Sequence, residues 1–94
     1  MRPIHPGEIL KYEFMAPIGL TAAALARNLH VPTNRLTAIL NEQRSVTADT
    51  ALRLSRYFRT TPEFWLNLQT YYELKTAEDS NGKKISQEIQ PRAA

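Results

Sequence analysis

Two short runs of strong helix formers, joined by a very short connection, constrain the fold more than any other feature of this sequence. Thr21 is an N-cap residue in front of the alanine-rich run over residues 22–29, and Pro32 opens the next helix, over residues 33–41. His30 stands where a residue in the left-handed conformation ends the earlier helix. Because only about three residues connect them, the two helices predict a helix-turn-helix motif in an all-α fold.

Further helices are predicted on either side of this motif. Pro6 opens the first helix behind a poor cap at His5, and the segment 17–19, which contains a proline and a glycine, ends it. Thr47 caps a fourth helix, in which an acidic residue and an arginine one turn apart form an ion pair. That pair is Asp49 and Arg53.

A fifth helix begins with the cap, proline and acid of residues 61–63 and is predicted to end near Glu78. One face is apolar and unusually aromatic, comprising Phe64, Trp65, Leu68, Tyr71 and Tyr72. The opposite, polar face comprises Asn67, Gln69, Thr70 and Glu73. We therefore divide the chain into a five-helix domain over residues 1–78 and a flexible polar tail over residues 79–94.

The composition excludes several classes of protein. The 94 residues suffice for one core, and the absence of cysteine excludes a disulfide scaffold, a thiol nucleophile and a zinc site built on thiolates. Neither histidine has a second histidine one helical turn away, and the spacing of His5 to Glu8 and Glu13 does not support a metal site or an acid–base pair. No metal site, cofactor or enzyme activity is therefore predicted. The start of the chain does not read as a signal peptide and no apolar stretch spans a membrane, so we expect a cytoplasmic protein without membrane contact.

Positive charge is concentrated in the earlier part of the chain. Residues 1–59 carry eight Lys and Arg against four Asp and Glu, whereas residues 60–94 carry four against five. All but one of those eight basic residues are arginines. This asymmetry indicates a portion that faces nucleic acid, joined to a portion for assembly.

The helix over residues 33–41 is predicted to read DNA. Leu36 and Ile39 lock it onto the rest of the domain, which leaves polar side chains outward at the end that enters the major groove. Asparagine can form two hydrogen bonds with adenine and arginine two with guanine, whereas threonine can contact base edges or the thymine methyl group. The predicted base-reading residues are Thr33, Asn34, Arg35 and Thr37. The predicted phosphate contacts are Thr21, Asn41, Gln43 and Arg44.

The aromatic face of the fifth helix is broader than packing on four short helices requires. A second copy of the chain would cover it, and a dimer would match the two-fold symmetry of a palindromic DNA site. The predicted dimer-interface residues are Trp65, Leu68, Tyr71 and Tyr72. Periodicity alone leaves open which of them lie in the core of one protomer.

Three segments, by their joint order and spacing, carry a resemblance to a known family. They are His5-Pro6-Gly7-Glu8-Ile9-Leu10, then TADTALRLSRYF, then TPEFWLNLQ. Residues 5–74 closely resemble the HigA family of antitoxins, also described as virulence-associated protein I. The resemblance implies a five-helix lambda-repressor-like fold and a homodimer that binds a palindromic double-stranded DNA operator at its own promoter. It also implies a HigB-type toxin partner, which cleaves messenger RNA on the ribosome and which the antitoxin neutralises.

Three residues depart from the pattern of the wider repressor class. Ala22 stands where many relatives carry a glutamine that holds a phosphate, and both His30 and Glu42 stand where glycine is common. The Glu42 carboxylate repels phosphate, and Arg44 nearby offsets that charge.

Three functions remain open at this point. The leading one is an antitoxin that represses its own operon, the second is an orphan regulator of the same family without a toxin, and the third is a helical module that binds only protein. Few basic residues flank the aromatic face, which disfavours a stacking platform for single-stranded nucleic acid. A toxin gene beside this gene separates the first two functions, and binding to upstream DNA separates both from the third.

Overall fold

The computed structural model describes residues 2–93, and every regular element among them is a helix. Met1 and Ala94, which the predicted domain and tail include, lie outside the described residues. The first helical segment begins as α1 (Pro6–Ile9) and continues through a π-helical part (Leu10–Met15) and a 3-10 turn (Ala16–Ile18). The others are α2 (Ala22–Leu29), α3 (Thr33–Leu40), α4 (Ala48–Phe58) and α5 (Pro62–Glu88). The five-helix, all-α fold is confirmed.

The start of α1 is tied to the end of α3. His5 caps α1, because its Nδ1 accepts a hydrogen bond from the Gly7 backbone N–H at 2.9 Å. The prediction of a poor cap is wrong, since a buried imidazole nitrogen offers an acceptor much as an asparagine oxygen does. Gly7 lies so close to Ile39 that an added Cβ would stand 2.0 Å from the Ile39 carbonyl oxygen. The backbone of α1 therefore packs directly on α3.

Three helices are followed, within two residues of their last helical residue, by a left-handed residue that is not glycine. His30, Glu42 and Arg59 have φ angles of 57°, 62° and 58°, at the ends of α2, α3 and α4. The following N–H then bonds back to the last turn of the helix, as from Val31 to the Ala26 carbonyl at 3.0 Å. The left-handed conformation expected at His30 is confirmed. The same conformation explains why glycine is common at the position of Glu42, where a side chain adds strain.

Helix α5 is longer than predicted, because it ends at Glu88 rather than near Glu78. The expected flexible tail is corrected for residues 79–88, which are helical. Oppositely charged pairs one turn apart, Lys75 with Asp79 and Lys84 with Glu88, each at 3.9 Å, support this part of the helix, which lacks an apolar face and includes residues of low helix propensity such as Gly82. The division of the chain at residue 78 stays a prediction.

Trp65 lies at the centre of the core. Its side chain is fully buried, its indole N–H donates to Thr60 Oγ1 at 2.8 Å, and the Phe14 ring centroid is 5.0 Å away. Leu40 and Phe58 are partly buried and pack against this core. The buried apolar residues are Leu10, Met15, Leu25, Ala26, Leu29, Leu36, Ile39, Val46, Ala51, Leu54 and Trp65.

Gln69 belongs to the core and not to the exposed polar face predicted for it. Its Oε1 accepts a hydrogen bond from the Val46 backbone N–H at 2.8 Å, and its Nε2 donates to Glu73 Oε1 at 3.1 Å. The amide thus ties the loop after α3 to α5. Among residues 2–93, no buried side-chain polar atom lacks a hydrogen-bond partner.

No single helix within residues 2–93 is long and apolar enough to cross a membrane. Pro6–Ile18 and Ala22–Leu29 reach such a length and composition only as a pair bent by 101°. Several apolar side chains of that pair, among them Leu10 and Leu25, are buried in the core.

Candidate nucleic-acid interface

Helices α2 and α3 pack against each other across the short turn of residues 30–32. Leu36 and Ile39 anchor α3 in the core, as predicted, and turn its first residues toward the surface. Thr33 and Asn34 are exposed. In helix-turn-helix proteins this amino-terminal end of the second helix is the part that reaches base edges.

The other two predicted base-reading residues have partners within the protein. Arg35 Nη1 donates to Asp49 Oδ2 at 3.0 Å, and 28% of the Arg35 side chain remains exposed. The Thr37 hydroxyl lies 3.2 Å from the backbone carbonyl of Thr33 and 3.2 Å from that of Asn34, so it is turned back on its own helix. Base reading by these four residues stays a prediction.

The predicted phosphate contacts lie at the two ends of the motif. Thr21 is exposed at the start of α2, where its hydroxyl accepts a hydrogen bond from the Ala24 N–H at 3.1 Å and keeps its own proton to donate. Asn41, Gln43 and Arg44 are exposed at and beyond the end of α3. Phosphate binding by these residues stays a prediction.

A charged network links the motif to α4, and sequence reasoning found only half of it. The predicted pair is confirmed, with Arg53 Nε 2.9 Å from Asp49 Oδ2. The same carboxylate oxygen also accepts from Arg35, and Arg53 Nη1 donates to the Leu29 carbonyl at the end of α2, at 2.9 Å. Arg35 and Asp49 stand 14 residues apart in different helices, so no helical spacing rule indicates their contact.

Asp49 is ionised in this network. The hydrogen bond from Arg53 holds the pKa of the Asp49 carboxyl below its usual range, and the hydrogen bond and charge of Arg35 act in the same direction. Two arginines against one carboxylate leave a net positive charge beside α3, which attracts phosphate.

A shallow apolar groove of about 350 Å³ lies along α5, and two predicted dimer-interface residues, Leu68 and Tyr71, line it. Trp65 does not, because it is fully buried in its own protomer, so its prediction as an interface residue is wrong. Tyr72 is half-buried with its ring centroid 4.8 Å from that of His5, and it too lies outside the groove. The remaining lining residues, absent from the predicted interface, are Ile4, Ile9, Phe64 and Asn67.

Two packed helices joined by a tight turn, the second exposing its amino-terminal end, define this chain as a helix-turn-helix protein. Its sequence agrees, because residues 11–65 match the family model described as helix-turn-helix.

Similarity to known proteins shows which family of helix-turn-helix proteins this chain belongs to. Virulence-associated protein I of Dichelobacter nodosus is 58% identical over 78 residues, which are 83% of this chain and 72% of that protein. An addiction module antidote protein of the HigA family from Coxiella burnetii shares 59% identity with a TM-score of 0.93, over 98% of this chain and 100% of the other. The Pseudomonas aeruginosa antitoxin HigA, solved with the higBA promoter, shares 51% identity with a TM-score of 0.95, over 98% and 100%. The chain belongs to the HigA family of helix-turn-helix antitoxins.

Proposed function

We propose that this protein is a DNA-binding antitoxin, which binds a palindromic operator at its own promoter and neutralises a HigB-type toxin in the cytoplasm. The observation that carries the proposal is the exposed start of α3, with Thr33 and Asn34 outermost, in the fold of an antitoxin solved with promoter DNA. Base edges in the major groove supply the acceptors and donors that these side chains match. The proposed role of the protein is therefore binding and not catalysis.

Affinity and specificity come from different parts of this surface. Arg44 lies in the loop after α3, which passes along the DNA backbone, so it contacts phosphate without reading sequence. Arg35, inside α3, reads a base through two hydrogen bonds. Replacing Arg44 with alanine therefore weakens binding to every duplex and lowers the slope of log affinity against log salt by about one.

The decisive experiment compares DNA from upstream of the gene with a shuffled duplex of equal length and composition. The wild-type protein binds the upstream duplex more tightly. Arg35→Ala lowers affinity for the upstream duplex by about 1–3 kcal/mol and leaves the shuffled duplex less affected. Lys83→Ala, which removes one positive charge from the exposed part of α5, is the matched control and keeps the preference.

Two results would contradict this assignment. Equal wild-type affinity for both duplexes would mean that the protein does not recognise its own promoter. A wild-type preference that Arg35→Ala leaves intact would remove Arg35 from the base-reading residues while preserving operator binding. The toxin is tested separately, by co-expressing the short neighbouring gene and measuring a complex by co-purification. Operator binding without such a complex would identify an orphan regulator.

The proposed active form is a homodimer joined along the groove of α5. Such a dimer places its two α3 helices about 34–36 Å apart, one turn of DNA. Tyr71, which is 64% exposed, and Leu68 contribute apolar area, and a charge at either position opposes association.

Light scattering tests the dimer. The wild type has twice the chain mass of 10.7 kDa, whereas Tyr71→Asp shifts toward the single mass and loses operator affinity in parallel. Leu52→Asp is the control, because Leu52 is similarly exposed on α4 outside that groove. Dissociation by Leu52→Asp alone would move the interface to α4.

A further inference from the structure

The side chain of Arg35 is held from one side only. Its Nη1 donates to Asp49 Oδ2 at 3.0 Å, and no other hydrogen bond from this guanidinium is found among residues 2–93. Arginine carries five N–H donors in a planar fork. With Nη1 engaged, the edge formed by Nε and Nη2 keeps the two parallel donors that guanine O6 and N7 require.

Asp49 is itself fixed by Arg53. The Arg53 Nε donates to the same Oδ2 at 2.9 Å, while its Nη1 donates to the Leu29 carbonyl at 2.9 Å and approaches the His30 carbonyl at 3.5 Å. Arg53 thereby connects the last turn of α2 to the carboxylate that holds Arg35. Asp49 Oδ2 thus joins α3 to α4, and Arg53 extends the link to α2 through the Leu29 carbonyl.

We propose that Asp49 is a positioning residue for DNA recognition, which orients the Arg35 guanidinium so that its free edge faces a base. Arg53 supports it by fixing the carboxylate to the end of α2. The inference rests on the proposed function, because it requires Arg35 to read a base. Asp49 lies on α4 and touches no DNA in this mechanism.

A positioning role and a purely electrostatic role of Asp49 predict different effects of neutralising its carboxylate. Asp49 is an exposed carboxylate near the face that binds phosphate, so its neutralisation alone raises affinity for every duplex equally. Loss of positioning instead reduces the preference for the upstream duplex, because a rotating guanidinium pays entropy when it forms two directed bonds. Exposed ion pairs add little stability, so the network serves orientation more than folding.

The measured quantity is the specificity ratio, the dissociation constant for shuffled DNA divided by that for upstream DNA. Asp49→Asn lowers this ratio by at least about twofold, the smallest coupling expected between contacting residues. Asp49→Asn combined with Arg35→Ala gives the same ratio as Arg35→Ala alone. Arg53→Lys also lowers the ratio without changing net charge, because an ammonium group cannot hold the carboxylate and the Leu29 carbonyl in one fixed plane.

Glu42→Gln is the matched charge control. Glu42 also lies near the predicted phosphate contacts but makes no side-chain hydrogen bond to Arg35, so its neutralisation strengthens binding to both duplexes and leaves the ratio unchanged. Far-ultraviolet circular dichroism and thermal unfolding establish that each variant is folded. Asp49→Glu keeps the charge with a longer side chain and restores part of the ratio lost in Asp49→Asn.

An Asp49→Asn protein that binds both duplexes more tightly by one common factor, as Glu42→Gln does, would overturn the positioning role while leaving operator recognition intact. An additive loss in the double variant would also overturn it, since Asp49 would then act independently of Arg35. A wild-type ratio of one would refute the proposed function itself. These three outcomes are distinguishable from one data set.

Discussion

Replacing Gly7 with alanine tests the packing of α1 on α3. An alanine Cβ at this position would stand 2.0 Å from the Ile39 carbonyl oxygen, 2.9 Å from the Ile39 carbonyl carbon and 3.0 Å from His5 Nδ1. Ordinary contacts of a Cβ begin at about 3.4 Å. The closest atom belongs to the backbone and cannot rotate away, so α1 must move off α3.

The size of the effect follows from two opposing contributions. Overpacking a tight contact costs about 1–3 kcal/mol, and a fixed carbonyl places this site at the upper end. Alanine gains at most about 1 kcal/mol over glycine here, because that value applies to a helix interior and Gly7 is the second residue of α1. The net loss of unfolding free energy is about 2 kcal/mol, which for a domain of this size lowers Tm by about 8–16 °C.

Urea unfolding followed by circular dichroism measures this loss, with Gly82→Ala as the control. Gly82 lies within α5, where an added Cβ would meet only Glu78 Cβ at 3.7 Å, so alanine there raises the free energy of unfolding by about 0.5–1 kcal/mol. The same substitution is thus expected to lower the free energy of unfolding at Gly7 and to raise it at Gly82. A Gly7→Ala protein as stable as the wild type would refute the direct contact between α1 and α3, and a destabilised Gly82→Ala protein would argue against helix at that position.

Three further substitutions test individual contacts. Burial lowers the pKa of His5 in the folded chain, and the Glu42 charge partly offsets this shift. The contribution of His5 to stability is therefore full above the ordinary histidine pKa of 6.5 and is lost as the pH falls from there through the folded-state pKa. His5→Asn keeps a capping acceptor and lacks this loss when urea midpoints are compared across pH; an equal loss in both proteins would exclude His5 as its source. Glu42→Gly removes left-handed strain and raises the free energy of unfolding by about 0.5–1 kcal/mol, whereas Glu42→Gln, which keeps the strain, gives no gain. Gln69→Leu leaves the buried Val46 N–H without an acceptor and costs about 1–3 kcal/mol in chemical unfolding, a loss that Gln69→Glu avoids in part; a fully stable Gln69→Leu protein would show that water or another group replaces the amide.

Features encoded within a few residues were predictable from the sequence. The caps at Thr21, Thr47 and Thr61 each accept a hydrogen bond from a backbone N–H three residues on, as their positions indicated. The left-handed end of α2 at His30 follows from the same local rules. These signals fix the order and the starts of the helices because they depend only on neighbouring residues.

Contacts between distant residues were not predictable from periodicity. Gln69 falls on the polar side of α5 by spacing, yet its amide is buried because the Val46 N–H, in a loop 23 residues earlier, requires an acceptor. Imidazole is uncommon as an N-cap, so the sequence does not indicate that His5 caps α1, a role that depends on its packing against Tyr72. The pairing of Arg35 with Asp49 likewise depends on how α3 and α4 pack.

The recognition helix is held at its start, its end and the loop beyond it, and none of these attachments uses its outermost side chains. Arg35 binds Asp49 near the start of α3, Gly7 abuts the Ile39 carbonyl at its end, and Gln69 holds Val46 in the loop that follows. The side chains of Thr33 and Asn34 are exposed and take part in none of these three attachments. We therefore expect substitutions at these two positions to leave α3 in place, so that under the proposed function they change the base contacts and the same scaffold serves different operators.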